Sequence, residues 1–169
     1  MQREKKLRYL ILSALFAAAI TVMTAYLLHV PIPTGGYIHI GDTLIYLAAC
    51  LLPTPYAVGA AAVGAGLADL LTAPMWVLPT LVIKSLVALL FTSRGPRLLC
   101  PRNVAAAVGA ALLSPAAYGL AACLLLGSAH AFWPQFLGTL VQGLGSGAVF
   151  FALALGLEHA GIKGRMLAL

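Results

Sequence analysis

Long apolar runs without charge leave this chain few places to fold. No Asp, Glu, Lys or Arg occurs between Arg102 and Glu158, nor anywhere from Tyr9 to Gly41. Charged residues make up 8% of the chain, against roughly 25% in a soluble globular domain. So few charges cannot cover 169 residues in water. The sequence therefore predicts an all-α integral membrane protein, one membrane domain over 1–169.

Apolar runs predict six transmembrane helices in a compact bundle, at about 7–29, 42–53, 55–72, 76–93, 103–126 and 134–158. A full span needs about 20 residues, and four of the six qualify. The first run is longer than the roughly 7–15 residues of a signal-peptide core, so it is read as a membrane helix. Pro53-Thr54-Pro55 separates the second and third segments, because each proline removes a backbone donor and clashes with the preceding turn. A single kinked helix from 43 to 72 is the competing reading.

Charge positions decide between these. Arg3, Lys5, Lys6, Arg8, Arg94, Arg97, Arg102, Lys163 and Arg165 lie at the chain ends or in one connector. Six spans with cytoplasmic N- and C-termini put all of them on the cytoplasmic side of the cell membrane. Fusing segments two and three would export the 94–102 connector, against the positive-inside bias. The same distribution, without interleaved aromatics, argues for the lipid bilayer as the partner and against nucleic acid. Loop 30–41 then lies outside, with the connectors carrying Trp76 and Trp133; an interfacial aromatic belt would account for either tryptophan.

Three of the other charges are costly. An ionised side chain at membrane depth costs about 2.5–3.5 kcal/mol and usually marks function or a paired structural role. Asp69 and Lys84 flank the chain reversal near Pro74, and at 1.5 Å per residue an outward-reaching lysine could pair with Asp69. That pair either holds ligand or only fixes packing. Asp42 follows Gly41, where it could cap the second helix or contact ligand. Tyr118 and Gln142 are further polar groups that must face inward.

Ser13, Ala17 and Thr21 recur at four-residue spacing on the first segment, with Ala14 and Ala18 beside them. Small residues in such rows let another helix approach closely, within the bundle or from a partner. Cys50, Cys100 and Cys123 are far apart without a CxxC pair, which argues against a disulfide or zinc site. No GxxxxGK[ST], HExxH or rhomboid-type GxSG occurs, so neither ATP hydrolysis nor intramembrane proteolysis is expected, and the chain is read as no enzyme.

Six spans in about 170 residues, the small-residue row and the outer loop entering GYIHIGDTLIYLAA resemble the substrate-binding S components of energy-coupling-factor (ECF) vitamin transporters. The stretch GAGLADLLTAP…PTLVIKSLVALL, 64 to 90, is similar to members of the hydroxymethylpyrimidine and vitamin-precursor type. The resemblance implies a subunit that captures a small heterocycle from outside beneath loop 30–41, with Gly35 and Gly36 giving the lid its backbone freedom. It implies delivery through a separate transmembrane coupling protein and two ATPase subunits, docking on Ala14, Ala18, Ser13, Ala17 and Thr21. Asp69 and Lys84 are the first expected ligand contacts, with Tyr37, His39, Asp42, Trp76, Tyr118 and Gln142 after them; no cofactor is expected. A metal-carrying branch of these systems begins Met-His. This chain begins Met-Gln, which disfavours a metal, although His29, His39 and His130 could cluster outside. A ligand-free membrane structural or assembly protein is the alternative from another class.

Overall fold

The computed structural model describes residues 2–27 and 29–164. Arg165, counted above among the cytoplasmic charges, lies outside the described residues, as does Leu28 of the first apolar run. The described residues include six long α-helices: α1 Gln2–Tyr26, α2 Asp42–Leu51, α3 Thr54–Thr72, α4 Val77–Leu90, α5 Pro101–Leu126 and α6 Phe132–His159. Short 3-10 turns, Pro74–Trp76 and Ala129–Ala131, precede α4 and α6. α1, α3, α5 and α6 are each long and apolar enough to cross a bilayer. This is an all-α membrane bundle.

α1 extends five residues ahead of the apolar run, carrying Lys5, Lys6 and Arg8 on exposed helical turns. It ends at Tyr26, short of the expected 29, because the chain turns into a small hairpin. Strands β1 Val30–Pro31 and β2 Tyr37–Ile38 pair antiparallel, Val30 opposite Ile38 and Pro31 opposite Tyr37. His29 Nδ1 lies 3.3 Å from the Thr24 carbonyl, one of the four that a helix end leaves unbonded.

The proline pair breaks the chain as the sequence predicts. Leu52 and Pro53 are extended, and α3 starts at Thr54 with Pro55 in its first turn, where a missing N–H costs nothing. α2 is ten residues long, about 15 Å, so it reaches half the depth of a bilayer core. It is apolar almost all round, and it is buried accordingly, touching α1, α3, α4 and α6. α4 stops at Leu90, three residues early. Asn103 replaces the lost helix bonds there, accepting from Thr92 N–H and donating to the Thr92 and Leu98 carbonyls.

The row on α1 divides between two faces. Ser13 donates to the Tyr56 carbonyl at 2.7 Å and Thr21 to the Gly64 carbonyl at 2.9 Å. A Cβ at Gly64 would meet the Ala17 carbonyl at 2.7 Å, so this glycine is what lets α1 and α3 close. Ser13, Ala17 and Thr21 are therefore packing residues toward α3, which corrects their expected place on an external docking surface. Ala14 and Ala18 are exposed on the outer face.

Candidate functional site

Loop 30–41 folds over one end of the bundle. Its turn is closed by Ile32 N–H to the Gly36 carbonyl and Gly35 N–H to the Ile32 carbonyl, at 3.0 and 3.1 Å. Gly35 has φ +75°, the left-handed region that glycine enters without a Cβ penalty. β2 then directs Tyr37 inward: its ring stacks on His29 with centroids 3.9 Å apart, and its hydroxyl donates to Asp69 Oδ1. Burial first, and then the Asp69 charge, raise the Tyr37 pKa, so the phenol keeps its proton and stays a donor.

His39 is buried behind Tyr37, and its Nδ1 accepts from Gly41 N–H at 2.9 Å. Burial lowers its pKa to about 4, with Lys84 and His29 adding to the fall and Asp42 opposing it. A neutral ring with Nδ1 as acceptor carries its proton on Nε2. Gly41 itself fits only without a side chain, since a Cβ would stand 2.0 Å from Thr24 Oγ1.

Beneath the loop lies a buried ion pair. Lys84 Nζ donates to both Asp42 oxygens, at 2.6 and 2.8 Å, and each residue is 1% exposed. Gln142 Nε2 donates to Asp42 Oδ2 at 3.0 Å, and Lys84 Nζ sits 5.1 Å over the Tyr118 ring. The expected Asp69–Lys84 pair is thus corrected. α2 begins deep in the bundle, against α4 and α6, and brings Asp42 to the lysine; Asp69 is taken by Tyr37 from the loop. Asp42 is also no helix cap. Gly41 holds that position, without a side-chain hydrogen bond, and the aspartate turns to Lys84.

Between loop and ion pair is a cavity of about 30 Å³, room for one or two waters. Gly36, Tyr37 and His39 close it from the loop; Asp69, Trp76, Thr80 and Tyr118 wall it from α3, the 3-10 turn, α4 and α5; Gln135, Thr139 and Gln142 line it from α6. Six of the eight expected site residues meet there: Tyr37, His39, Asp69, Trp76, Tyr118 and Gln142. Asp42 and Lys84 form the layer behind Gln142 and Tyr118. Trp76 is 2% exposed and therefore no belt residue, whereas Trp133 is 62% exposed.

Thr80, Gln135 and Thr139 were not anticipated. Thr80 Oγ1 stands 2.6 Å from the Tyr118 hydroxyl; Gln135 accepts from Thr34 of the loop and donates to Thr139 at 3.1 Å. The α6 set did leave a signal. Gln135, Thr139, Gln142 and Ser146 recur at steps of four, three and four, a polar stripe on an otherwise apolar helix, and all are buried. The three histidines do not converge: His29 and His39 flank Tyr37, whereas His130 is exposed. Among the described residues no group of three or more His, Cys, Asp or Glu could hold a metal ion.

The family described as "ECF-type riboflavin transporter, S component" matches residues 4–159. An "Uncharacterized protein in gap 3'region" of Pyrococcus woesei is 45% identical over 67 residues, 39% of this chain. The chain spans 45% of the length of that curated relative. No solved structure matches.

Proposed function

This chain belongs to the ECF-type riboflavin transporter S component family; from that membership we propose that it captures a vitamin or vitamin precursor, and from the narrowness of its cavity that the ligand has a single ring. The ligand enters beneath loop 30–41 from outside the cell and leaves through a separate transmembrane coupling protein with two ATPase subunits. Ala14 and Ala18 are the proposed docking contacts on that partner. Within the vitamin class, the sequence resemblance favours the hydroxymethylpyrimidine type.

The carrying observation is the convergence of polar side chains from the loop and four segments on one cavity. Polar groups are expensive inside a membrane protein and are retained where they do something. A handful of them on aromatic walls is the composition of a small-molecule site. Known drug-sized pockets occupy about 300–1,000 Å³, so this cavity of about 30 Å³ must widen for any ligand. The only lining that is not helical or helix-anchored is Gly36, Tyr37 and His39. Lifting that hairpin gains room for one ring more readily than for a fused tricycle. Orientation follows the charges: Arg3, Lys5, Lys6, Arg8, Arg94, Arg97, Arg102 and Lys163 all belong to the end opposite the hairpin, which the positive-inside bias makes cytoplasmic.

The test is extraction and mass spectrometry of the purified full chain, followed by thermal-shift assays with 4-amino-5-hydroxymethyl-2-methylpyrimidine, pyridoxine and riboflavin. A bound single-ring heterocycle, or stabilisation by one of the first two compounds, is expected. Riboflavin as the sole stabilising compound refutes the single-ring assignment. A preparation that is empty, is stabilised by none of the three and carries no ATPase subunits refutes capture and favours a structural role.

A further inference from the structure

Trp76 holds a hydrogen-bond donor that the protein itself does not use. It ends the 3-10 turn that swings the chain from α3 into α4, and that turn carries the indole inward onto Tyr118, with ring centroids 5.8 Å apart. The indole lines the cavity, yet its Nε1–H is fully buried without an acceptor. An unsatisfied buried donor costs about 1–3 kcal/mol. Tryptophan has no other polar atom with which to compensate, and phenylalanine would fill a similar space without that cost.

Gly36 makes the donor reachable. A Cβ on Gly36 would lie 3.6 Å from Trp76 Nε1 and 3.3 Å from Gln135 Oε1. Its φ is not positive, so the backbone does not demand glycine there. What the missing side chain does is keep the approach to the indole N–H clear, directly under the hairpin.

The opposite side of the cavity is rich in acceptors. Asp69 receives hydrogen bonds from Tyr37 and Thr80, and a carboxylate has about four acceptor sites. Gln142 must point its amide nitrogen at Asp42, since the flipped amide would press its carbonyl against the carboxylate. That leaves the Gln142 carbonyl oxygen for the cavity it lines.

We propose that Trp76 is a specificity-determining residue, its indole N–H reading an acceptor atom on the ligand while Asp69 and the Gln142 carbonyl read N–H donors. The ligand class is a nitrogen heterocycle with a ring nitrogen beside an exocyclic amino group. A carboxylate or phosphate at the same place would meet the like charge of Asp69 across the cavity. This inference rests on the single-ring capture reading, and its test separates the two.

Binding of 4-aminopyrimidine and of aniline, which keeps the amino group but has no ring nitrogen, is measured by saturation-transfer NMR on the full chain in nanodiscs. Empty nanodiscs correct for partition. Wild type should bind 4-aminopyrimidine about tenfold or more tighter, the value of one hydrogen bond of about 1.4 kcal/mol. Trp76→Phe should erase that preference by weakening 4-aminopyrimidine and leaving aniline unchanged. Equal weakening of both rings, or a preference that survives, overturns the role of the indole N–H. Gly36→Ala leaves the indole in place and should reduce the preference by obstructing it; full preference in this variant also overturns the proposal. Wild type that binds neither ring while retaining another heterocycle by mass spectrometry overturns the amino-heterocycle class alone. Wild type that binds no heterocycle at all overturns the capture reading beneath it.

Discussion

Lys84→Met tests whether the buried ion pair is structural. The substitution keeps most of the side-chain volume and removes the ammonium from an aspartate that is 1% exposed and bonded otherwise only by Gln142. Breaking a buried pair by deleting one partner costs about 3–5 kcal/mol. A second route gives a similar figure. The abandoned carboxylate can escape by taking a proton, and from an ordinary aspartate pKa near 3.9 that costs about 4 kcal/mol at pH 7. Protonation caps the damage, so the expected loss is about 4 kcal/mol. For a chain this size each kcal/mol is worth about 2–4 °C, which makes the shift about 8–16 °C. Removing both charges, with Asp42→Asn and Lys84→Met together, should recover most of it, because an uncharged pair leaves nothing to desolvate. Cys50 provides the assay: it is fully buried on α2, and a thiol-reactive dye labels it only on unfolding. A single variant melting within about 2 °C of wild type, or a double variant as unstable as the single, refutes the reasoning.

Four further outcomes follow from the same geometry. His39 titrates near 6.5 when unfolded and at about 4 in place, so the unfolded chain binds the extra proton between those values; stability is full above pH 6.5 and falls by about 3 kcal/mol on acidification to pH 4, and His39→Gln should flatten that slope in a melting series. Tyr37→Phe removes the hydroxyl that holds the hairpin to Asp69 and should raise deuterium uptake across 30–38, with unchanged uptake in α5 as the control. Gly64→Ala should cost about 1–3 kcal/mol as an overpacked contact and lower the melting temperature accordingly, whereas Gly59→Ala, whose Cβ meets nothing within 4 Å, should not. Leucine at Ala14 and Ala18 should abolish uptake into cells while leaving melting and ligand binding of the isolated chain unchanged; lost binding would assign that face to internal packing.

Sequence periodicity and charge were enough for the bundle and for the break at Pro53 and Pro55, because hydrophobic length and proline sterics act locally. Partner choice among the buried charges was not local. Depth counted along α3 and α4 brought Asp69 toward Lys84, but depth does not say which way a side chain faces or what a third element inserts. Asp42 sits at the start of a half-depth helix whose position depends on four neighbours, and that position determines the pair. The small-residue row shows the same limit: spacing placed five residues together, and only packing against α3 divided Ser13, Ala17 and Thr21 from Ala14 and Ala18. Trp76 and Trp133 look alike in sequence, since both are aromatics within two residues of a proline near a helix start. The 3-10 turn at Pro74 buries one, and the other stays at the surface. The stripe Gln135, Thr139, Gln142 is legible by the helical period, although none of its residues carries a charge to mark it.

The hairpin and the proposed docking face share one helix. His29 touches Thr24 of the last turn of α1 and stacks on Tyr37, while Thr24 also lies directly under Gly41. Thr24 is six positions beyond Ala18, about 9 Å along the helix. Ser13 and Thr21 fasten α1 to the backbone of α3, and α3 carries Asp69, the other end of the Tyr37 bond. A displaced Tyr37 therefore loses its stacking on His29, which rests on α1, and its bond to Asp69 of α3 in the same movement. α1 and α3 are bonded to each other at two points along their length, Ser13 to the Tyr56 carbonyl and Thr21 to the Gly64 carbonyl. A partner seated on Ala14 and Ala18 would lie on the same rigid pair of helices that holds the hairpin shut, and it needs no separate relay to distinguish a closed loop from an open one.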